Sequence, residues 1–306
     1  MKKWFEDKFE DNKIRSYTRH RMSKPLFGSF FRRHSTTNWI IAINIIIFFV
    51  IWVTILTLGE DFFNNNILNY IALQPSLFFD GYILQIFTSM FIHIDAGHLL
   101  ANMVSLFFIG NFVEKLIGRK RFVLVYILSG IFAGLLYASL SILLGSSGGV
   151  GEKIFVSPAI FAVGASGAIF ALLGILAVLI PYNRVYLIAG PIIAIILLAV
   201  ARSIFPSSSF MPILDLLVSL YFIFAIVSIL SFNSKLMRIS VPIEMPFWVL
   251  PIVAIVPLVI IGLFVDLPIG NTAHLGGLIA GLLYANYLKV KYRKKTEIIK
   301  RYFSRR

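Results

Sequence analysis

The fold class predicted by this sequence is an all-α polytopic membrane protein with both termini in the cytoplasm, and three observations predict it. Apolar residues fill 58% of the 306 positions and aromatics 15%, well above what a soluble domain carries. Eight apolar runs, at 38–57, 96–114, 122–144, 164–181, 185–204, 212–231, 247–265 and 271–289, approach the ~20 residues a helix needs to cross a hydrocarbon core of about 30 Å. The cations are one-sided. Of 28 Lys and Arg, ten lie in residues 1–36 and nine in 289–306. With eight spans and both ends inside, Lys115, Arg119, Lys120, Arg121, Arg184, Lys235 and Arg238 join them, and only Lys153 and Arg202 face the other way. That asymmetry is the one the positive-inside rule describes.

The position of the charge also decides what the net +14 means. Basic segments flanking spans read as topology determinants that touch anionic lipid headgroups, so no nucleic-acid partner is expected. Residues 1–37 form a basic tail without the short apolar core and small-residue cleavage site of a secretory signal. Glu6, Asp7, Glu10 and Asp11 argue against a transit peptide, and the plasma membrane of a bacterium or archaeon is the expected location. Without cysteine the chain has neither disulfides nor thiolate metal ligands. No fixed-period repeat interrupts residues 38–289, which read as one membrane domain, with a second basic tail at 290–306.

Polar side chains inside spans are costly and mark function. The second run opens with "FIHIDAGHLLANM", where His93 precedes the helix and His98 and Asn102 stand one turn apart on one face. The fourth run opens with "VGASGAIFA", which sets Ser166 between Gly164 and Gly167. The last opens with "GNTAHLGGLIAG", which places His274 near its start. With the N-terminus inside, even-numbered spans run from outside to inside, so His98, Asn102, Ser166 and His274 share one depth near the outer face. A serine hydroxyl becomes a nucleophile when a neutral histidine removes its proton, and Ser166 with His274 is the candidate pair. Asn102, His98 and the N–H groups at the start of the fourth helix are candidate donors for an oxyanion. Gly164 and Gly167 let backbone and substrate approach closely. Alone, such a serine or asparagine is commonly helix-packing glue in a membrane. Their joint occurrence at one depth sets hydrolase chemistry level with helix packing as a reading of these residues.

These segments resemble the rhomboid intramembrane serine proteases. "GASGAIFALLG" is similar to that family's G-x-S-G helix, "HIDAGHLLANM" to its H-x-x-x-x-H-x-x-x-N helix, and "AHLGGLIAGLL" to its A-H-x-x-G-x-x-x-G helix. The stretch from Glu114 to Leu136 resembles the family's join between its second and third helices, and the motifs stand in family order over residues 88 to 289. The resemblance implies Ser166 as nucleophile and His274 as base, without an acid, metal or cofactor. It implies His98, Asn102 and the Ser166 amide as the oxyanion hole, with Gly164 shaping the turn and Gly277 and Gly281 packing the last helix against the serine helix. Implied substrates are single-pass transmembrane proteins that unwind locally at the cleaved bond.

The chain departs from the family's pattern in three places. Phe170 stands where many members carry Tyr, so its ring can stack on His274 without a phenolic hydrogen bond. Leu84 and Gln85 replace a Trp-Arg pair, which leaves open how the first outer loop is anchored. The family's six-helix core has one helix between the serine and histidine helices, and this chain has three, so 185–231 reads as an inserted hairpin that preserves parity. Two alternatives predict different sequences: a non-catalytic client binder lacks the serine or histidine, and a transporter carries internal repeats with matching broken helices.

Overall fold

The computed structural model describes residues 35–146, 148–205, 207–231, 233–264 and 270–304, so the expected tail at 1–37 lies almost wholly outside the described residues. A helix answers each of the eight apolar runs: α1 (Thr36–Leu58), α2 (Ala96–Ile117), α3 (Arg119–Leu144), α4 (Ser166–Leu179), α5 (Ala189–Ile204), α6 (Met211–Ser231), α7 (Leu250–Gly262) and α8 (Asn271–Lys291). Helix is the form in which a chain satisfies its own backbone where water is absent. Among the described residues α1, α2, α3 and α6 are long and apolar enough to cross a membrane, and α4, α5 and α7 are shorter apolar helices. The shortening has local causes. Residues 164–165, expected inside the fourth span, form a turn before Ser166, and the fifth span begins at Ala189 rather than 185.

Residues 185–188 belong instead to a strand, β1 (Arg184–Ile188), which pairs antiparallel with β2 (Pro242–Pro246), Arg184 opposite Pro246 and Ile188 opposite Pro242. A short apolar run does not by itself distinguish helix from strand, and "VYLI" is β-branched and aromatic enough for either. Among the described residues the remaining named elements are helices, with one isolated bridge between Leu73 and Ala162. A further helix, α9 (Arg293–Ser304), occupies most of the segment expected as a charged tail. Its apolar side is packed down, with Ile299 buried and Phe303 edge-on to Phe112 at 5.6 Å. Arg121 donates to Tyr292 Oη at 2.9 Å just before it.

The centre of the bundle is α4, buried along most of its length. It is flanked by α3, α7, α8 and the mid-portion of α2. On the outside, α1 lies along α2 and turns Ile46, Phe49, Val50 and Trp52 outward, as a lipid-facing helix does. The helices α5 and α6 form a hairpin, joined across by the Arg202–Asp215 ion pair.

At the end of the bundle away from Ser166, a carboxylate ties α1 to α2. Glu114 Oε2 accepts from Thr37 N at 2.9 Å, Thr37 Oγ1 at 2.7 Å and Ser35 Oγ at 2.8 Å, while Oε1 accepts from Thr36 N at 3.0 Å. The first N–H groups of α1 have no acceptor within their own helix, and Glu114 supplies a negative one at the helix's positive end. Ser35 also donates to Asn111 Oδ1 at 2.7 Å, so both helices share one polar knot. Glu114→Ala is expected to destabilise the protein by about 1–3 kcal/mol, because buried donors lose their charged acceptor. Thermal unfolding in detergent checks this, and an unchanged midpoint would refute the tie.

Candidate active site

Three helices of the bundle start at one level, and each brings a polar residue within its first two turns. In α8 the histidine is the fourth residue, and its Nε2 lies 2.8 Å from Ser166 Oγ, the first side chain of α4. In α2, Asp95 caps the helix by accepting from His98 N at 2.8 Å, which fixes the turn from which His98 and Asn102 project. Asn102 is buried and donates through Nδ2 to His98 O at 3.1 Å.

Gly164 joins these groups. Its φ of +117° is a conformation that L side chains rarely adopt, and a Cβ there would stand 2.7 Å from His98 Nε2 and 3.7 Å from Asn102 Nδ2. The turn before the serine is therefore pressed against these two side chains of α2. The same turn is held from the other side, where Gly164 N donates to Ser89 O at 2.8 Å. Beyond it the backbone of Ala162 exchanges hydrogen bonds with Leu73, at 2.7 and 3.1 Å. Ser166 opens α4, so the first N–H groups of that helix have no acceptor within their own helix.

The distance between Ser166 and His274 follows from the contact of α4 with α8. A Cβ on Gly277 would collide with the Gly167 backbone, and one on Gly281 with the Ala171 backbone. A Cβ on Gly167 would sit 2.8 Å from Ala133 Cβ of α3. Small residues here let backbones touch, as at other close helix contacts in membranes.

Phe170, one turn after Ser166, stacks on His274 with ring centroids 4.3 Å apart and planes 12° from parallel. The flat contact fixes the imidazole plane without a hydroxyl. The other ring nitrogen, His274 Nδ1, is buried and has no hydrogen-bond partner among the described residues. His93 lies in the turn before α2, buried, with its ring edge against His98 at a centroid distance of 5.0 Å. Burial first, then the neighbouring His98, pulls its pKa down to about 3, so it stands there as a neutral ring.

Sequence reasoning missed the groups that pin the loop over the site. Leu84 is exposed, but Gln85 is fully buried and reaches two ways, accepting from Gln74 N at 3.1 Å and donating to Asn69 O at 2.6 Å. Thr88 Oγ1 donates to Ile71 O at 2.8 Å. The signal was the polarity of Gln85 inside an apolar stretch, which marks either function or a buried anchor.

The family described as "Rhomboid domain" matches residues 80–213 and 221–291, more than half of the chain. The break between the two matched parts falls inside α6. The chain is 30% identical over 148 residues to "Rhomboid protease GluP" of Bacillus subtilis (strain 168), covering 48% of this chain and 25% of that protein. It is 41% identical over 90 residues to "RHOMBOID-like protein 1" of Arabidopsis thaliana, covering 29% of this chain and 19% of that one. The chain thus spans a quarter or less of the length of these two relatives.

The α4–α8 contact carries a prediction of its own. Gly277→Val and Gly281→Val are each expected to destabilise the protein by about 1–3 kcal/mol or more through overpacking, read as a lower thermal midpoint in detergent. A midpoint equal to that of the parent protein would mean that the helices do not touch backbone to backbone.

Proposed function

The chain belongs to the rhomboid family, and on that premise we propose that it is an intramembrane serine protease that cuts single-pass transmembrane proteins with a Ser166–His274 dyad. The observation that carries this reading is the 2.8 Å contact of His274 Nε2 with Ser166 Oγ, within hydrogen-bond reach for a nucleophile and its base. His274 Nε2 accepts the hydroxyl proton as Oγ attacks the scissile carbonyl. The histidine then returns that proton to the leaving amine. A water, deprotonated by the same nitrogen, attacks the acyl-enzyme, releasing the new carboxyl end and restoring Ser166 Oγ–H.

The tetrahedral oxyanion falls between the Gly164 turn and α2, where Asn102 Nδ2, His98 and the Ser166 N–H are the donors. The positive end of the α4 dipole favours charge at the same spot. Phe170 holds the imidazole plane in place of an acid's hydrogen bond. Gly277 and Gly281 keep the dyad at contact distance. The reaction draws on no metal or cofactor.

A helical peptide bond is shielded by its own hydrogen bonding, so the substrate must unwind at the cleaved bond. The enzyme resides in the plasma membrane of a bacterium or archaeon, with eight spans, both termini in the cytoplasm, and the dyad reached from the outer side. The cation asymmetry supports that orientation.

Ser166→Ala and His274→Ala are each expected to abolish cleavage of a single-pass reporter in liposomes, and continued cleavage by either purified variant would overturn the dyad. Substitution of His98 or Asn102 by Ala is expected to lower kcat by about 10–1,000-fold with little change in KM, as loss of oxyanion donors does. Lys235→Cys, exposed between α6 and β2, is expected to react with an impermeant thiol reagent only from the cytoplasmic side. Labelling from outside would overturn the topology.

A further inference from the structure

The β1–β2 ribbon has two outer edges, and they differ. Phe247 N donates to Asn183 O at 3.0 Å and Ala189 N to Val241 O at 3.1 Å, so with Arg184 opposite Pro246 and Ile188 opposite Pro242 the ladder bonds fall at every second residue. Val185 and Leu187 turn their backbone groups to β2. Arg184, Tyr186 and Ile188 turn theirs away from it, as Pro242, Glu244 and Pro246 do on the other strand. Proline has no N–H, so the outer edge of β2 cannot build a regular ladder with another strand. The β1 edge has no such guard. Val185, Tyr186 and Ile188 are residue types that strands favour, and the sheet ends at β1 among the described residues.

The placement of the ribbon limits what can pair with it. One end adjoins α4 and α7, where Trp248 N donates to Pro181 O at 3.2 Å. The other end leads into α5 and receives the chain from α6. The ribbon thus bridges the core and the hairpin across the end of the bundle away from Ser166. Val185 and Leu187 pack on the core and Met245 is buried, whereas Arg184 and Tyr186, on the opposite face, are exposed. The face of the sheet is therefore turned along the helix axes, and its edges point sideways in the plane of the membrane.

Two identical strands that pair antiparallel, edge to edge, are related by a twofold axis perpendicular to their sheet. Here that axis runs along the helices, and so along the membrane normal. Two copies inserted the same way up in one bilayer are related by an axis in this same direction, and a closed twofold lets one patch serve both molecules.

We infer that the outer edge of β1 is a self-association site, at which a second copy of this chain adds its own β1 antiparallel, Tyr186 opposite Tyr186, to form one four-stranded sheet across both molecules. In this register Arg184 stands opposite Ile188 of the other copy. The two Tyr186 residues exchange N–H···O bonds and meet as an aromatic cross-strand pair. Each Arg184 lies diagonal to the other copy's Tyr186, within reach of its ring. The inference is independent of the protease reading.

The chain has no cysteine, so single thiols report the register in liposomes at high lipid dilution. Tyr186→Cys places thiols on Cα atoms about 5.5 Å apart, a separation that a disulfide bridges. In Arg184→Cys the two thiols are offset by about 13 Å along the strands, too far for a disulfide. Oxidation is expected to give at least about fivefold more covalent dimer from Tyr186→Cys than from Arg184→Cys. Equal yields, or no dimer from either, overturn the proposal.

Two further variants act without a cross-link. Tyr186→Pro removes the central donor of the edge, an N–H that the single molecule leaves unpaired, so its thermal midpoint is expected to stay at the parent's value. Tyr186→Lys keeps that N–H and sets two like charges directly opposite each other. Each is expected to lower the dimer fraction, counted by stepwise photobleaching of a fluorescent fusion in liposomes, about fivefold or more. A parent protein that is monomeric under these conditions overturns the edge, and so does a dimer fraction that neither variant lowers, which would mean that the copies meet through another surface.

Discussion

The bare contact of α4 with α8 is the constraint on which the rest of the structure depends. Gly277 against Gly167 and Gly281 against Ala171 leave no room for a Cβ, and only at that separation does His274 Nε2 meet Ser166 Oγ at 2.8 Å. In lipid there is no hydrophobic drive between apolar helices, so contact area and backbone proximity do the work. Everything else is arranged around this pair. Helix α3 brings Ala133 against Gly167, the loop over the site pins Gly164, and α2 presents His98 and Asn102 to the turn so formed.

Two polar clusters mark opposite ends of the helices that frame the site. At one end lie the starts of α2, α4 and α8 and the Ser166–His274 contact. At the other, Glu114 gathers Ser35, Thr36 and Thr37 and caps α1. Between them α4 is aliphatic, with Leu172, Ile175 and Leu176 fully buried. Each polar level is built at helix ends, where unsatisfied backbone groups exist in any case, so the side chains there answer a need instead of creating one.

The helices and the polar residues of the site were legible in the sequence because both depend on short-range pattern. Apolar run length announces a helix, and the charges outside the runs set which starts share a depth, which placed Ser166, His274, His98 and Asn102 together before any coordinates. The β1–β2 ribbon was not legible, since the strands stand more than fifty residues apart and "VYLI" fits a helix as well. Gln85 looked like a lost anchor. Its carbonyl and amide partners, Gln74 and Asn69, are backbone groups that carry no sequence signal. Likewise α9 was hidden by its charge: Ile299 and Phe303 are too few to register as a run, yet they suffice to seat one face of a helix whose other face is basic.

The β1–β2 ribbon has a consequence for the history of the chain. Arg184 leaves the serine helix opposite Pro246, which leads into α7, so the backbone enters and leaves the two intervening helices through adjacent strands about 5 Å apart. Such a segment is a closed cassette. It can be lengthened, shortened or exchanged for another hairpin with its two stumps still in register, and selection can then rewrite its lipid-facing surface while the dyad stays fixed. Variation among relatives of this protein should therefore concentrate between the two strands, where it leaves α4 and α8 undisturbed.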